Sequence, residues 1–246
     1  EKLGQGGMGQ VFRAVLRGPA GFRKDVALKL VAGQDASEQA REDFLNEARL
    51  GALLDHPNLV STHDLGEVDG HLFITMDLVK GITLDALMRR KRTLPGAAVL
   101  DVGVQLCVGL ASAHSLRKNG QKLGLIHCDL KPSNVLISHR GRVRLTDFGL
   151  AQAMTVDGDL TVTGLRGSLN YMSPEQLTGQ SLDVRTDIYS LGLVLAELTL
   201  GRRLIDESER EAIIAIIRDI DTRMAEPELR TMLDASVPGL TAVLEQ

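Results

Sequence analysis

The stretch that most constrains this chain is Ile126-His127-Cys128-Asp129-Leu130-Lys131-Pro132-Ser133-Asn134-Val135-Leu136-Ile137. A short polar loop lies between two apolar runs and carries an acid, a base and an amide within one reach. Asp129 can accept a proton, Lys131 can hold a phosphate, and Asn134 offers a neutral oxygen to a hard cation. Pro132 stiffens the turn that spaces them. Thirteen residues after Asn134 comes Asp147-Phe148-Gly149, a second carboxylate followed by a glycine that lets the chain turn sharply.

The chain has 246 residues, enough for a substantial core in one large or two small domains. Hydrophobic residues make up 43% and charged residues 24%, as in a soluble globular protein. A net charge of −4 gives no reason to expect a nucleic-acid partner. Aromatic residues are only 3%, with no Trp, so Leu, Val, Ile and Ala must build the core. Cys107 and Cys128 form no disulfide framework and suit a reducing, cytoplasmic compartment. No uninterrupted apolar run reaches the roughly 18 residues needed to span a bilayer, so no membrane segment is expected here. The start carries no signal-peptide pattern and no initiator Met, and reads as a piece of a longer protein that could be membrane-anchored elsewhere.

Near the start, Leu3-Gly4-Gln5-Gly6-Gly7-Met8-Gly9-Gln10-Val11 matches G-x-G-x-x-G-x-V. A dinucleotide site would need a helix to begin at the last glycine. Instead Val11-Phe12-Arg13-Ala14-Val15 alternates and favours a strand, which suits a glycine-rich hairpin whose backbone N–H groups close over phosphates. An ordinary Gly-rich turn would look the same in isolation. In Asp25-Val26-Ala27-Leu28-Lys29-Leu30, strand alternation places Ala27 and Lys29 on one face, where a flat base and its phosphates could lie. The bland alternative is a half-exposed strand with a surface lysine. A helix is expected over about 37–54, with Glu47 among apolar positions and able to point inward at Lys29. Residues 59–65 and 71–78 read as strands joined at Asp69-Gly70, completing a five-stranded region.

From Leu84 onward helices dominate. Val99, Val102, Leu106, Leu110 and Ala113 mark a long amphipathic helix, and residues 116–124 read as a polar surface loop. Residues 142–147 form a strand delivering Asp147. Between Gly149 and Pro174 the chain is rich in Gly, Thr and Asp, and a loop this long is usually functional. Residues 188–198 are apolar nearly all round, as a buried helix should be; further helices are expected over 209–224 and after Pro238-Gly239.

Each motif alone is ambiguous, but their order is not. Gly-rich hairpin, strand Lys, helix Glu, Asp-x-Lys-x-x-Asn, Asp-Phe-Gly, Ser173-Pro174-Glu175 and Asp187-x-Tyr189-Ser190-x-Gly192 run in protein-kinase order. Over nearly its whole length the chain resembles the eukaryotic-like (Hanks-type) serine/threonine protein kinases of bacteria. The resemblance implies an α+β, bilobal kinase fold forming one domain over 1–246. A small β-rich N-lobe would cover 1–79 and a larger α-helical C-lobe 80–246, truncated at the C-terminus before the family's last helices. It implies ATP with Mg²⁺, or Mn²⁺, as cofactors and proteins bearing Ser or Thr as substrates, and it leaves a kinase–kinase dimer open.

The resemblance also assigns roles. Leu3, Gly4, Gly6, Gly9 and Val11 would cover the nucleotide, with Ala27, Met76 and Leu136 around the adenine and the backbone near Asp77 and Val79 bonding its edge. Lys29 would hold the phosphates and Glu47 orient it. Asn134 and Asp147 would hold the metal. Asp129 would accept from the substrate hydroxyl and Lys131 would screen the transferred phosphate. Lys131 and Gly167-Ser168 look like Ser/Thr rather than Tyr kinases, and Thr161 and Thr163 resemble activation-loop phosphosites.

Three departures stand out. Cys128 replaces the usual Arg, giving a non-RD type, and cannot pair bidentately with a phosphorylated loop. Gly51 and Thr62 stand where the family has larger apolar side chains, so loose packing and a mobile helix around Glu47 are expected. Glu175 lacks its usual arginine partner. A pseudokinase is the alternative reading. A small-molecule kinase is disfavoured by the Ser173-Pro174-Glu175 segment, and a nicotinamide oxidoreductase by the strand after Gly9.

Overall fold

The structure, a computed structural model, describes residues 1–6, 9–30, 38–90, 93–118, 120–148, 152–153, 168–206 and 209–218. Its first part is a sheet built from β1 (Lys2–Gly6), β2 (Gly9–Arg17) and β3 (Arg23–Leu30), followed by helix α1 (Glu38–Gly51) and then β4 (Thr62–Val68) and β5 (His71–Asp77). The five strands lie in the order β1-β2-β3-β5-β4, all antiparallel, so β3 is central and can bury both its faces. Asp69 and Gly70 both take positive φ, 49° and 75°, the backbone that a two-residue hairpin between β4 and β5 requires. On α1, Phe44 and Ala48 pack on Leu72 and Ile74 to form a small core under the sheet.

The second part continues with β6 (Gly81–Thr83), α2 (Leu84–Arg90), α3 (Gly96–His114), β7 (Arg117–Lys118), β8 (Gln121–Lys122), β9 (Leu125–Ile126), β10 (Val135–Ser138), β11 (Val143–Leu145), β12 (Gln152–Ala153), α4 (Pro174–Thr178), α5 (Val184–Leu200) and α6 (Arg210–Arg218). A larger core joins Val99, Leu106 and Leu110 of α3 to Leu191, Val194 and Leu198 of α5 and to Ile213 of α6. The protein therefore has a β-rich lobe and a helical lobe with separate cores, the bilobal α+β arrangement expected.

The stretch 116–124 differs from the expected loop. β7 and β8 pair there as a small antiparallel hairpin, with Gly120 at φ 82°. α3 also differs from the reading that nothing here could span a bilayer: it is long and apolar enough by length and composition. In this fold it is a core helix, with Val99, Val102, Leu106, Leu110 and Ala113 buried against the helical lobe. The helix expected after Pro238 lies outside the described residues.

Candidate active site

β10 and β11 pair antiparallel with Val135 opposite Leu145, so the loop 127–134 that enters β10 and the Asp147 that follows β11 lie side by side at the same end of the hairpin. The loop is fixed mainly through its backbone. Asp187 of α5, fully buried, accepts from the His127 amide at 2.9 Å and the Cys128 amide at 3.0 Å, and also meets His114 Nε2 at 2.7 Å. Gln176 Nε2 donates to the Cys128 carbonyl at 2.7 Å. These bonds hold Cys128 at φ 66°, in the left-handed region that a non-glycine residue occupies only when its surroundings enforce it. The Asp129 amide donates to His127 Nδ1 at 3.2 Å, and His127 Nε2 faces the Thr146 carbonyl at 3.0 Å, so Nδ1 accepts and Nε2 carries a hydrogen. The His127 ring lies 4.5 Å from that of buried Phe148, tying the loop to the segment that carries Asp147.

On this frame Asp129 collects donors on both oxygens. Oδ1 accepts from the Ser168 amide at 3.1 Å, and Oδ2 from Lys131 Nζ at 2.6 Å and Asn134 Nδ2 at 3.2 Å. Lys131 also donates to the Ser168 hydroxyl at 2.9 Å. Asn134 spends its amide hydrogens on Asp129, with a second bond to the Asp129 carbonyl at 2.9 Å, and so keeps its oxygen as an acceptor.

The β-rich lobe supplies a charge cluster. Lys29 on β3 is 7% exposed, which rules out the surface-lysine reading. Its Nζ lies 2.6 and 2.8 Å from the two Glu47 oxygens and 2.6 Å from Asp147 Oδ1. Burial works to lower the Lys29 pKa, but the two carboxylates hold it above its usual range. Burial pushes the Glu47 carboxyl up to about 7, with Lys29 opposing and Asp147 reinforcing the rise. Burial also acts to raise Asp147, yet Lys29 holds it below the usual carboxylate range. Burial is the largest influence on both acids, and Lys29 outweighs it only at Asp147. Two carboxylates share one ammonium, and the proton favours Glu47, whose side chain is 7% exposed against 38% for Asp147.

The remaining predicted residues fall on the surrounding strands. Gly4, Gly6, Gly9 and Val11 lie on the paired β1 and β2, and the strand after Gly9 removes the dinucleotide-binding alternative. Leu3 is exposed on β1, Ala27 is buried opposite Met76, Leu136 lies on β10, and Val79 follows β5. Thr161 and Thr163 lie outside the described residues.

Sequence reasoning passed over several contributors. Asp187 and Gln176 anchor the loop, and only the Asp187-x-Tyr189-Ser190 motif hinted at the first. Asp77, expected at the site only through its backbone, also accepts with its side chain from Arg144 Nη2 of β11 at 2.8 Å and meets His63 Nε2 at 2.8 Å, tying the end of β5 to the strand that delivers Asp147. Burial acts to raise the Asp77 pKa, but Arg144, helped by His63, holds it below the usual carboxylate range. Glu175 accepts from the Thr186 hydroxyl at 2.7 Å, a partner not anticipated. Gly51 is buried against Thr62 without room for a Cβ, so the expected loose packing is absent there.

The sequence matches the family described as protein kinase domain over residues 1–238. This chain belongs to the protein kinase family. It is 36% identical over 200 residues to a probable serine/threonine-protein kinase of Clostridium perfringens, covering 81% of this chain and 28% of the relative. It is 35% identical over 201 residues to serine/threonine-protein kinase PrkC of Bacillus subtilis, covering 81% and 30%. It is 34% identical over 224 residues to tyrosine-protein kinase MasK of Myxococcus xanthus, covering 88% and 35%. The chain thus spans about a third of the length of these relatives. Family membership implies the use of ATP and a divalent metal. The donor set fits a hard cation, since Asp147 and Asn134 both offer oxygen.

Proposed function

We propose that this chain is a protein serine/threonine kinase that moves the γ-phosphoryl group of ATP to Ser or Thr hydroxyls of protein substrates. The observation that carries this is the Asp129–Lys131–Ser168 cluster, an acceptor carboxylate fixed beside a cation on a backbone-anchored loop. Phosphoryl transfer asks mainly for positioning and charge neutralisation, and these residues are arranged for both. Asp129 accepts the hydroxyl proton and Lys131 screens the moving phosphate. Lys29, oriented by Glu47, holds the α- and β-phosphates. Asn134 and Asp147 are the residues that would hold Mg²⁺, or Mn²⁺, which supplies charge neutralisation across the phosphates when bound. The nucleotide lies beneath β1–β2, with adenine against Leu3, Val11, Ala27, Met76 and Leu136 and its edge on the backbone near Asp77 and Val79. The domain works in the cytoplasm as one bilobal unit, with lobes dividing near residue 80.

Mutual contact of Lys29 with Glu47 and Asp147, and of Asp129 with Asn134, favours an enzyme over a pseudokinase. One relative is named a tyrosine kinase, so hydroxyl type needs its own readout. The test is transfer of label from γ-labelled ATP to a generic protein substrate, followed by phosphoamino-acid analysis. Label on Ser and Thr that disappears in Asp129→Asn is expected. Label confined to Tyr would refute the substrate class, and equal transfer by Asp129→Asn would refute the site.

A further inference from the structure

Gly51 closes α1, one helical turn after Glu47 and on the same face. It is not among the residues with positive φ, so the conformational freedom of glycine is not what the position uses. What it supplies is space. A Cβ built on Gly51 would lie 2.4 Å from Thr62 Oγ1 and 3.3 Å from Thr62 Cβ. The first distance is far inside van der Waals contact. Thr62 opens β4, the strand α1 rests against, and is held opposite Met76 in the sheet. A β-branched side chain is stiff at χ1, so the hydroxyl does not turn away from the contact without cost. Glycine is also a poorer helix former than alanine, so propensity does not favour it here.

We propose that the Gly51–Thr62 contact is the stop that sets the distance of α1 from the sheet, making Gly51 a positioning residue for phosphoryl transfer. A side chain at 51 pushes the end of α1 outward and withdraws Glu47 from Lys29, whose 2.6 and 2.8 Å bonds tolerate little displacement. This rests on the assignment of Lys29 and Glu47 to nucleotide handling. It reverses the expectation of loose packing around Glu47 that the family resemblance gave.

The experiment compares kcat, KM for ATP and thermal midpoint in Gly51→Ala, Gly51→Leu, Thr62→Gly, the double variant Gly51→Ala/Thr62→Gly, and Gly51→Ala with and without Glu47→Gln. Gly51→Ala is expected to lower kcat by about tenfold or more, as for a small misplacement of a working group. Thr62→Gly in the double variant restores most of that loss, and Gly51→Ala costs nothing further once Glu47 is Gln. Wild-type kcat in Gly51→Ala, a loss that Thr62→Gly does not restore, or a gain in Gly51→Leu overturns the proposal. Should Gly51→Ala fail to fold, Thr62→Ile loads the same contact from the strand side, and full activity in it is equally fatal. Full activity in Glu47→Gln would instead sink the assignment of Glu47. The packing claim then rests on amide exchange across α1, faster in Gly51→Ala if the contact is the stop and unchanged if it is not.

Discussion

Lys29, Glu47 and Asp147 come from three separate segments and meet through charge, whereas Asp129 and Asn134 sit on one loop pinned through its backbone to Asp187 and Gln176. The first assembly answers to protonation and to whatever else binds its carboxylates. The second needs no ligand to form, because its amide hydrogen bonds run to a buried carboxylate of the same chain. Under the proposed function, the contrast separates a nucleotide side that can rearrange from a transfer side that is fixed in advance, the division that preorganised catalysis favours.

The comparison breaks most sharply at Asp187. Asp187→Ala leaves two buried amides without a partner and should lower stability by about 3 kcal/mol or more, with transfer abolished. Denaturant unfolding would show it, and a variant with unchanged stability would mean that the loop is not held from α5. Lys29→Met should act differently. Transfer falls by about a hundredfold or more, while the loss of stability stays smaller than at Asp187 because Glu47, already pushed up to about 7, takes a proton once its cation is gone. An equally large collapse in stability would erase the distinction between the two assemblies.

The pH dependence sharpens the same point. Glu47 binds its proton more tightly in the fold than in the unfolded chain, so the fold holds more protons between pH 4.5 and about 7. Stability of the nucleotide-free protein should therefore fall as pH rises across that window, and Glu47→Gln should flatten the slope. Asp147 has the opposite sign: its contribution is present above pH 3.8 and fades as pH falls below that. A flat stability profile in the wild type between pH 4.5 and 7 would show that Glu47 takes no proton. The smallest effect is expected from Thr161→Ala/Thr163→Ala. With Cys128 unable to pair with a phosphate, activity should stay within about twofold of wild type. A near-total loss would tie the fixed side to loop phosphorylation after all.

The residues proposed to carry chemistry were legible because each such role demands one side-chain type at a set spacing. Lys29, Glu47, Asp129, Lys131, Asn134 and Asp147 all fall where their motifs place them. The strand after Gly9 was equally plain from alternation. The anchors were not, because Asp187 reaches Cys128 across 59 residues and Gln176 across 48, and no local pattern records such a contact. The β7–β8 hairpin was missed for a different reason. Its charged surface residues suggested a loop, although Asn119-Gly120 is a hairpin dipeptide. Gly51 was misjudged because absence of a side chain was read as absence of contact, whereas the Thr62 side chain occupies the space that a Cβ would need.

Cys128 adopts its left-handed backbone through bonds made by its own amide and carbonyl, to Asp187 and Gln176. The shape of the loop is thus written in main-chain atoms, which every residue except proline carries in full. The side chain at 128 is therefore not what fixes the loop: a guanidinium there would offer a bidentate partner to a phosphate, which the buried thiol does not.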